Sequence, residues 1–159
     1  MNNKSANHFD DISPYQLEQF QRLVSRLYQC CQERMQYQSD RFDLPDAELR
    51  CLLLFGEERY LTPTGIAQKM NVVKSRISKI VDGLMKKGFV QRIKDPEDSR
   101  IHLLSLTPDG QRKINDIRYF MDDVHHQVLL RIPSEQRKLL LIDLDLLKSS
   151  MEAVKDMMD

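Results

Sequence analysis

Two clusters of side chains in the middle of this 159-residue chain have the types and spacing to grip a polyanion. The first is Lys74, Ser75, Arg76, Ser78 and Lys79. Arg and Lys reach guanine O6/N7 or phosphate oxygens, and Ser is small enough to let a backbone or a base edge approach. The second is the run "KDPEDSR", residues 94–100, with Arg92 just before it. Arg100 is the residue to place in a narrow minor groove, whose negative potential draws Arg. Asp98, two positions earlier, can pair with Arg100 and orient it, while Lys94 and Arg92 are placed to meet phosphates. Glu97 is expected to face solvent, because an acid pointing inward would repel the same partner. Thr62, at the start of "PTGIAQKM", adds a hydroxyl where helix amides could hold a phosphate.

Each cluster alone also reads as an ordinary solvated surface or a plain turn. Charge distribution suggests a partner but does not by itself separate a binding surface from a solvated one. The net charge is zero, yet residues 62–100 carry nine Lys/Arg against four acids, a net of +5, while residues 1–61 and 101–159 come to −3 and −2. Cations concentrated in one quarter of a chain point to a local anionic partner, with nucleic acid foremost.

The elements that must position these residues are legible from their boundaries. Ser13-Pro14-Tyr15-Gln16 combines a cap, a Pro at the first helical position and a Gln three after the cap, and Phe20, Leu23, Val24, Leu27, Tyr28, Cys31 and Met35 then recur at helical spacing. A long amphipathic helix is expected over roughly 13–37. A second starts near Pro45-Asp46 and runs through "AELRCLLLF" to Gly56. Thr62-Pro63 opens a short helix that stops at Asn71, a residue that tolerates the left-handed conformation. A further helix over 73–87 follows almost at once and ends at Gly88. Ile77, Ile80, Val81 and Leu84 lie at i, i+3, i+4 and i+7, which makes them its buried face and turns Ser75 and Lys79 outward. Two short helices joined by a tight turn form a helix-turn-helix candidate. "FVQRI" and "IHLLSL" read as two strands around the polar tip at 95–100, and a hairpin directly after the second helix is a winged helix arrangement. Thr107-Pro108 opens a helix over about 108–131, and Ser134 is expected to cap the last one, which continues toward Met158.

The stretch "LTPTGIAQKMNVVKSRISKIVDGLMKKGFVQRIKDPEDSRIHLLSLTPDG" resembles the MarR (multiple antibiotic resistance regulator) family of winged helix-turn-helix transcription factors. The resemblance rests on the "LT…IA…M" first helix, the "KSRISKIVDGLMKKGFV" second helix, the Asp98-x-Arg100 tip and the "LLSLTPDG" exit. It implies a mainly α fold with a small antiparallel β wing. It also implies a homodimeric DNA-binding regulator, most often a repressor, on a pseudo-palindromic site. The terminal helices of two copies would intertwine. By position it assigns Lys74, Ser75, Arg76, Ser78 and Lys79 to the major groove and Asp98 and Arg100 to the wing. Two residues depart from the pattern. Val73 stands where the family often has a Ser cap, at a cost of ~1 kcal/mol. Gly83 in mid-helix costs ~1 kcal/mol relative to Ala, and the sequence does not say what would pack against it.

Dimerisation has an argument of its own. The stripe that includes Phe20, Leu23 and Leu27, and the leucines at 139–147 including Leu140, Leu144 and Leu147, are more apolar surface than a small winged domain can cover. The expected organisation is an N-terminal dimerisation helix (1–40), a winged DNA-binding domain (41–107) and C-terminal dimerisation helices (108–159).

No apolar run approaches the ~18–20 residues of a membrane span. The N-terminal "MNNKSANHFDD" has no apolar signal segment, so a cytoplasmic protein is expected. The three cysteines form no paired framework. Cys30 and Cys31 are candidates for a redox sensor. Cys31 lies within the apolar stripe and Cys30 at its edge, while Cys51 falls in the "LRCLLLF" run and is expected in the core. A metal site from Cys30, Glu33, His125 and His126 is disfavoured, because adjacent histidines on a helix project about 100° apart. A small-molecule effector is compatible with the resemblance, and no cofactor is expected. An enzyme fails on inventory, since no Cys-x-x-Cys, Gly-rich phosphate loop or Gly-x-Ser-x-Gly occurs. The remaining alternatives are a winged-helix module that binds protein instead of DNA and a thiol-based redox protein.

Overall fold

The computed structural model describes residues 12–158 apart from 96 and 99. The N-terminal segment on which the cytoplasmic expectation rests, residues 1–11, lies outside the described residues. The chain order is α1 (Pro14–Phe42), α2 (Asp46–Leu54), α3 (Pro63–Met70), α4 (Lys74–Lys86), β1 (Val90–Lys94), β2 (His102–Leu106), α5 (Pro108–Leu130) and α6 (Ser134–Asp156). This is a mainly α fold with a two-stranded antiparallel wing.

The start of α1 is the expected capping box: Gln16 N–H donates to Ser13 Oγ and Ser13 N–H donates to Gln16 Oε1. Its end lies at Phe42, five residues beyond the expected 37. The apolar stripe fades there, but nothing in 38–42 breaks a helix. The stop comes from Asp43, whose left-handed conformation (φ 51°) directs its N–H back to Asp40 and Ser39 carbonyls. Helix α2 ends at Leu54, short of Gly56, and unwinds through turn bonds from Phe55, Gly56 and Glu57 to the carbonyls of residues 52–54.

The chain divides into two compact units after Gly110. In the first, α2, α3 and α4 pack on one another, α1 packs on α2, and α4 packs on β1 of the wing. Leu49, Cys51, Leu52, Ile66, Ile77, Leu84 and Leu104 are among its buried core. A buried Leu or Ile contributes about 1.5–3 kcal/mol, so this cluster is the main source of the unit's stability. The hairpin pairs Val90 with Leu106, Arg92 with Leu104 and Lys94 with His102. Leu104 also exchanges backbone bonds of 2.8 and 3.0 Å with Leu61. That third, one-residue strand has no sequence signature, since a single residue cannot show a period of two.

Two glycines lock the wing to its neighbours. Gly88 sits at φ +74° after α4; its N–H reaches the Met85 carbonyl and Phe89 N–H reaches that of Leu84, a Schellman ending. At the exit, Thr107 N–H donates to the Phe89 carbonyl (3.0 Å), its hydroxyl donates to the Gly88 carbonyl (2.5 Å), and its Oγ1 accepts from Gly110 N–H (3.0 Å). A Cβ on Gly110 would lie 1.9 Å from the Phe89 carbonyl oxygen. The "TPDG" exit is thus a helix cap that also seats the first turn of α5 against the wing's entrance.

In the second unit, Ile114 and Ile117 are buried, while α6 buries none of its residues within one chain. Ser134 does not cap α6 as expected. Pro133 holds that position without a side-chain bond, and Ser134 is the first helical residue, its hydroxyl donating to Glu135. Arg137 secures the turn instead, its Nε donating to the Leu129 and Ile132 carbonyls at 2.8 and 2.9 Å. No described helix is long and apolar enough to cross a membrane.

Candidate nucleic-acid interface

Helix α4 buries Ile77, Ile80, Val81 and Leu84 and exposes Lys74, Ser75, Arg76, Ser78 and Lys79. The division between core and solvent is the one the periodicity requires. Its approach is set by α3, whose left-handed Asn71 (φ 52°) reverses the chain between the two helices. At the start of α4, Val73 occupies the cap position with extended backbone and offers no side-chain bond to the helix amides.

Behind the exposed face lies a contact without any sequence signal. Glu48 of α2 reaches Lys87 at 2.6 Å, and a Cβ on Gly83 would lie 2.2 Å from the same carboxylate. Gly83 is therefore where the Glu48 side chain crosses α4 on its way to Lys87. The partners are 39 residues apart, so no spacing rule could pair them. Glu48 also adds to the effect of burial on Cys51, whose thiol is pushed up to about 12. Cys51 is a core residue, as expected.

The wing tip is organised by two aspartates. Asp95 Oδ1 accepts from the backbone of Glu97 (2.8 Å) and Asp98 (3.4 Å), closing the turn, and Glu97 is exposed. Asp98 Oδ1 accepts from Arg100 N–H and Nε, and Oδ2 from Nη2, each at 3.0 Å. The side-chain bond from Arg100, then its backbone bond, holds the Asp98 carboxyl below the usual carboxylate range. The Arg100 side chain is 89% exposed. An exposed ion pair of this kind is weak in water, but its forked geometry biases the direction in which the guanidinium is presented.

Other predicted site residues have additional partners. The Arg92 guanidinium lies 3.4 Å from Asp82 of α4, an exposed ion pair that links the strand to the helix. Thr62 Oγ1 accepts from Gly65 N–H at 3.0 Å as the cap of α3, which leaves its O–H as the donor for a phosphate. Lys94 is exposed on β1 opposite His102, which is also exposed. Cys30 and Cys31 are both exposed on α1 of the single chain, Cys31 together with the apolar stripe to which it belongs. His125 and His126 are exposed, and among the described residues no three His, Cys, Asp or Glu cluster tightly enough to hold a metal ion. Phe20, Leu23, Leu27 and Leu144 are between 45% and 59% exposed, and Leu140 and Leu147 are partly covered.

A helix-turn-helix followed by a hairpin with an ordered arginine tip defines the winged helix class, here flanked by long helices. Residues 44–102 match the model of the MarR family. The chain is 25% identical over 127 residues to YdgJ, an uncharacterized HTH-type transcriptional regulator of Bacillus subtilis, covering 80% of this chain and 71% of that one. It is 36% identical over 63 residues to YetL, an HTH-type transcriptional repressor of the same organism, which covers 40% of this chain and 38% of YetL. Among solved structures, Streptococcus pneumoniae FabT in complex with DNA superposes with a TM-score of 0.75 at 17% identity, covering 85% of this chain and 99% of that one.

Proposed function

We propose that this protein is a homodimeric transcriptional regulator of the MarR family, acting as a repressor, that binds a pseudo-palindromic site on double-stranded DNA. Helix α4 enters the major groove with Lys74, Ser75, Arg76, Ser78 and Lys79 facing bases and phosphates, and the wing carries Arg100 to the adjacent minor groove. The observation that carries this reading is the pairing of Arg100 with Asp98: an exposed cation oriented by a neighbouring carboxylate, on the wing that follows a helix whose exposed face is cationic. Lys94 and the Thr62 hydroxyl add phosphate contacts, and Arg92, held by Asp82, links the wing strand to α4.

The exposed apolar residues of α1 and α6 support the dimer, since a second copy would cover them and supply the second recognition helix. The names of YetL and of the FabT complex agree with repression and with DNA as the ligand. The role is non-catalytic and places the protein with DNA in the cytoplasm.

Salt titration of duplex binding tests the reading. For ~6 phosphate contacts, affinity should fall by ~10³ between 50 and 200 mM salt as counterions are released. Binding to duplex that is absent, or insensitive to salt, would favour a module that recognises protein.

A further inference from the structure

We propose that Val73 is a specificity-determining residue that reads the C5-methyl group of a thymine in the major groove. This inference rests on the DNA-binding reading above and adds to it one base and one position. Val73 holds the cap position of α4, where Ser, Thr, Asp or Asn would satisfy an orphan helix amide; it supplies no such bond. It is also 69% exposed, so it does not serve the core. An apolar side chain that neither caps nor packs, immediately before Lys74, Ser75 and Arg76, stands where recognition helices meet base edges, at their N-terminus.

Its surroundings match one ligand chemistry. With Ala67 and Val72, Val73 forms the apolar part of an open cleft of about 370 Å³ in the turn between α3 and α4, whose rim is completed by Thr64, Gln68, Asn71 and Lys74. Exposed cations, Lys74, Arg76 and Lys79, follow on the same helix. A hydrophobic wall beside a cationic rod is complementary to the one apolar group that the major groove displays among its donors, acceptors and phosphates, the thymine methyl. A Ser at this position would improve the helix start and lose the methyl contact. Stability and base preference therefore move in opposite directions on one substitution.

The test uses the full chain and the consensus duplex recovered by selection from random DNA. Each thymine is replaced in turn by deoxyuracil, which deletes only the methyl. Wild-type protein should lose about fourfold in affinity at one thymine per half-site, the worth of one buried methyl group. Val73→Ser should be indifferent to that replacement, keep the wild-type salt dependence, and melt at a higher temperature. Three results would overturn the proposal: wild-type indifference to every deoxyuracil; an undiminished penalty in Val73→Ser; or an altered monomer–dimer equilibrium in Val73→Ser with the deoxyuracil profile unchanged, which would assign Val73 to contact between copies. If selection recovers no duplex at all, the DNA-binding reading fails together with this one.

Discussion

At the scale of single residues, the proposed complex assigns Arg100 and Arg76 different roles on DNA. Arg100 is held by both oxygens of Asp98 and makes no core contact, so Arg100→Ala should weaken duplex binding at least tenfold while leaving the thermal midpoint within a degree or two. Anisotropy titration and calorimetry on the same sample check both halves. Arg76→Ala should relax sequence preference, costing ~1–3 kcal/mol on the preferred site if the side chain grips a guanine edge. Equal losses on specific and random duplex would reassign Arg76 to phosphate. The Asp98 carboxyl titrates below the ordinary carboxylate value. A depressed folded value means that the pairing is fully present above the unfolded value and is lost only as pH falls through the folded one. The Arg100 Nε–H resonance should therefore stay unchanged from about pH 5 to pH 8 and shift only in stronger acid. Cys51, pushed up to about 12 by burial and then by Glu48, should resist thiol reagents in the native protein and react once it unfolds. The sequence placed Asp98 and Arg100 together because they are two residues apart. It could not show Asp82 holding Arg92, where the two charges lie on different elements.

At the scale of elements, three glycines in or beside helices have different consequences. A methyl on Gly110 meets a backbone carbonyl oxygen that cannot move without displacing the wing. Gly110→Ala should destabilise the fold by ~1–3 kcal/mol or more, read from the denaturant midpoint. A methyl on Gly83 meets only the end of the Glu48 side chain. Gly83→Ala should stay within ~1 kcal/mol of wild type, because the displaced ion pair with Lys87 is offset by better helix propensity. Gly88, at φ +74°, should cost ~1–2 kcal/mol when replaced by Ala. Helix starts marked by a hydroxyl and a Pro were legible at Ser13 and Thr62, as was the buried face of α4, because capping and periodicity are local. The five extra residues of α1, the Leu61 bridge and the Glu48–Lys87 contact were not, because tertiary packing and long-range pairing leave no local pattern.

At the scale of the molecule, one chain leaves Leu23, Leu27, Leu139 and Leu146 more than half exposed. Long helices that keep such residues in water are a strong drive to associate. Sedimentation should give twice the chain mass at micromolar concentration. A two-fold dimer then fixes the DNA: half-sites in inverted orientation with centres about 10 base pairs apart, or a multiple of that. Selection of bound duplexes from a random pool by the purified protein reads fold, site and symmetry at once. An inverted repeat is expected, with enrichment that disappears for Arg100→Ala. Recovery of no motif, or of a single direct site bound by one chain, would contradict it.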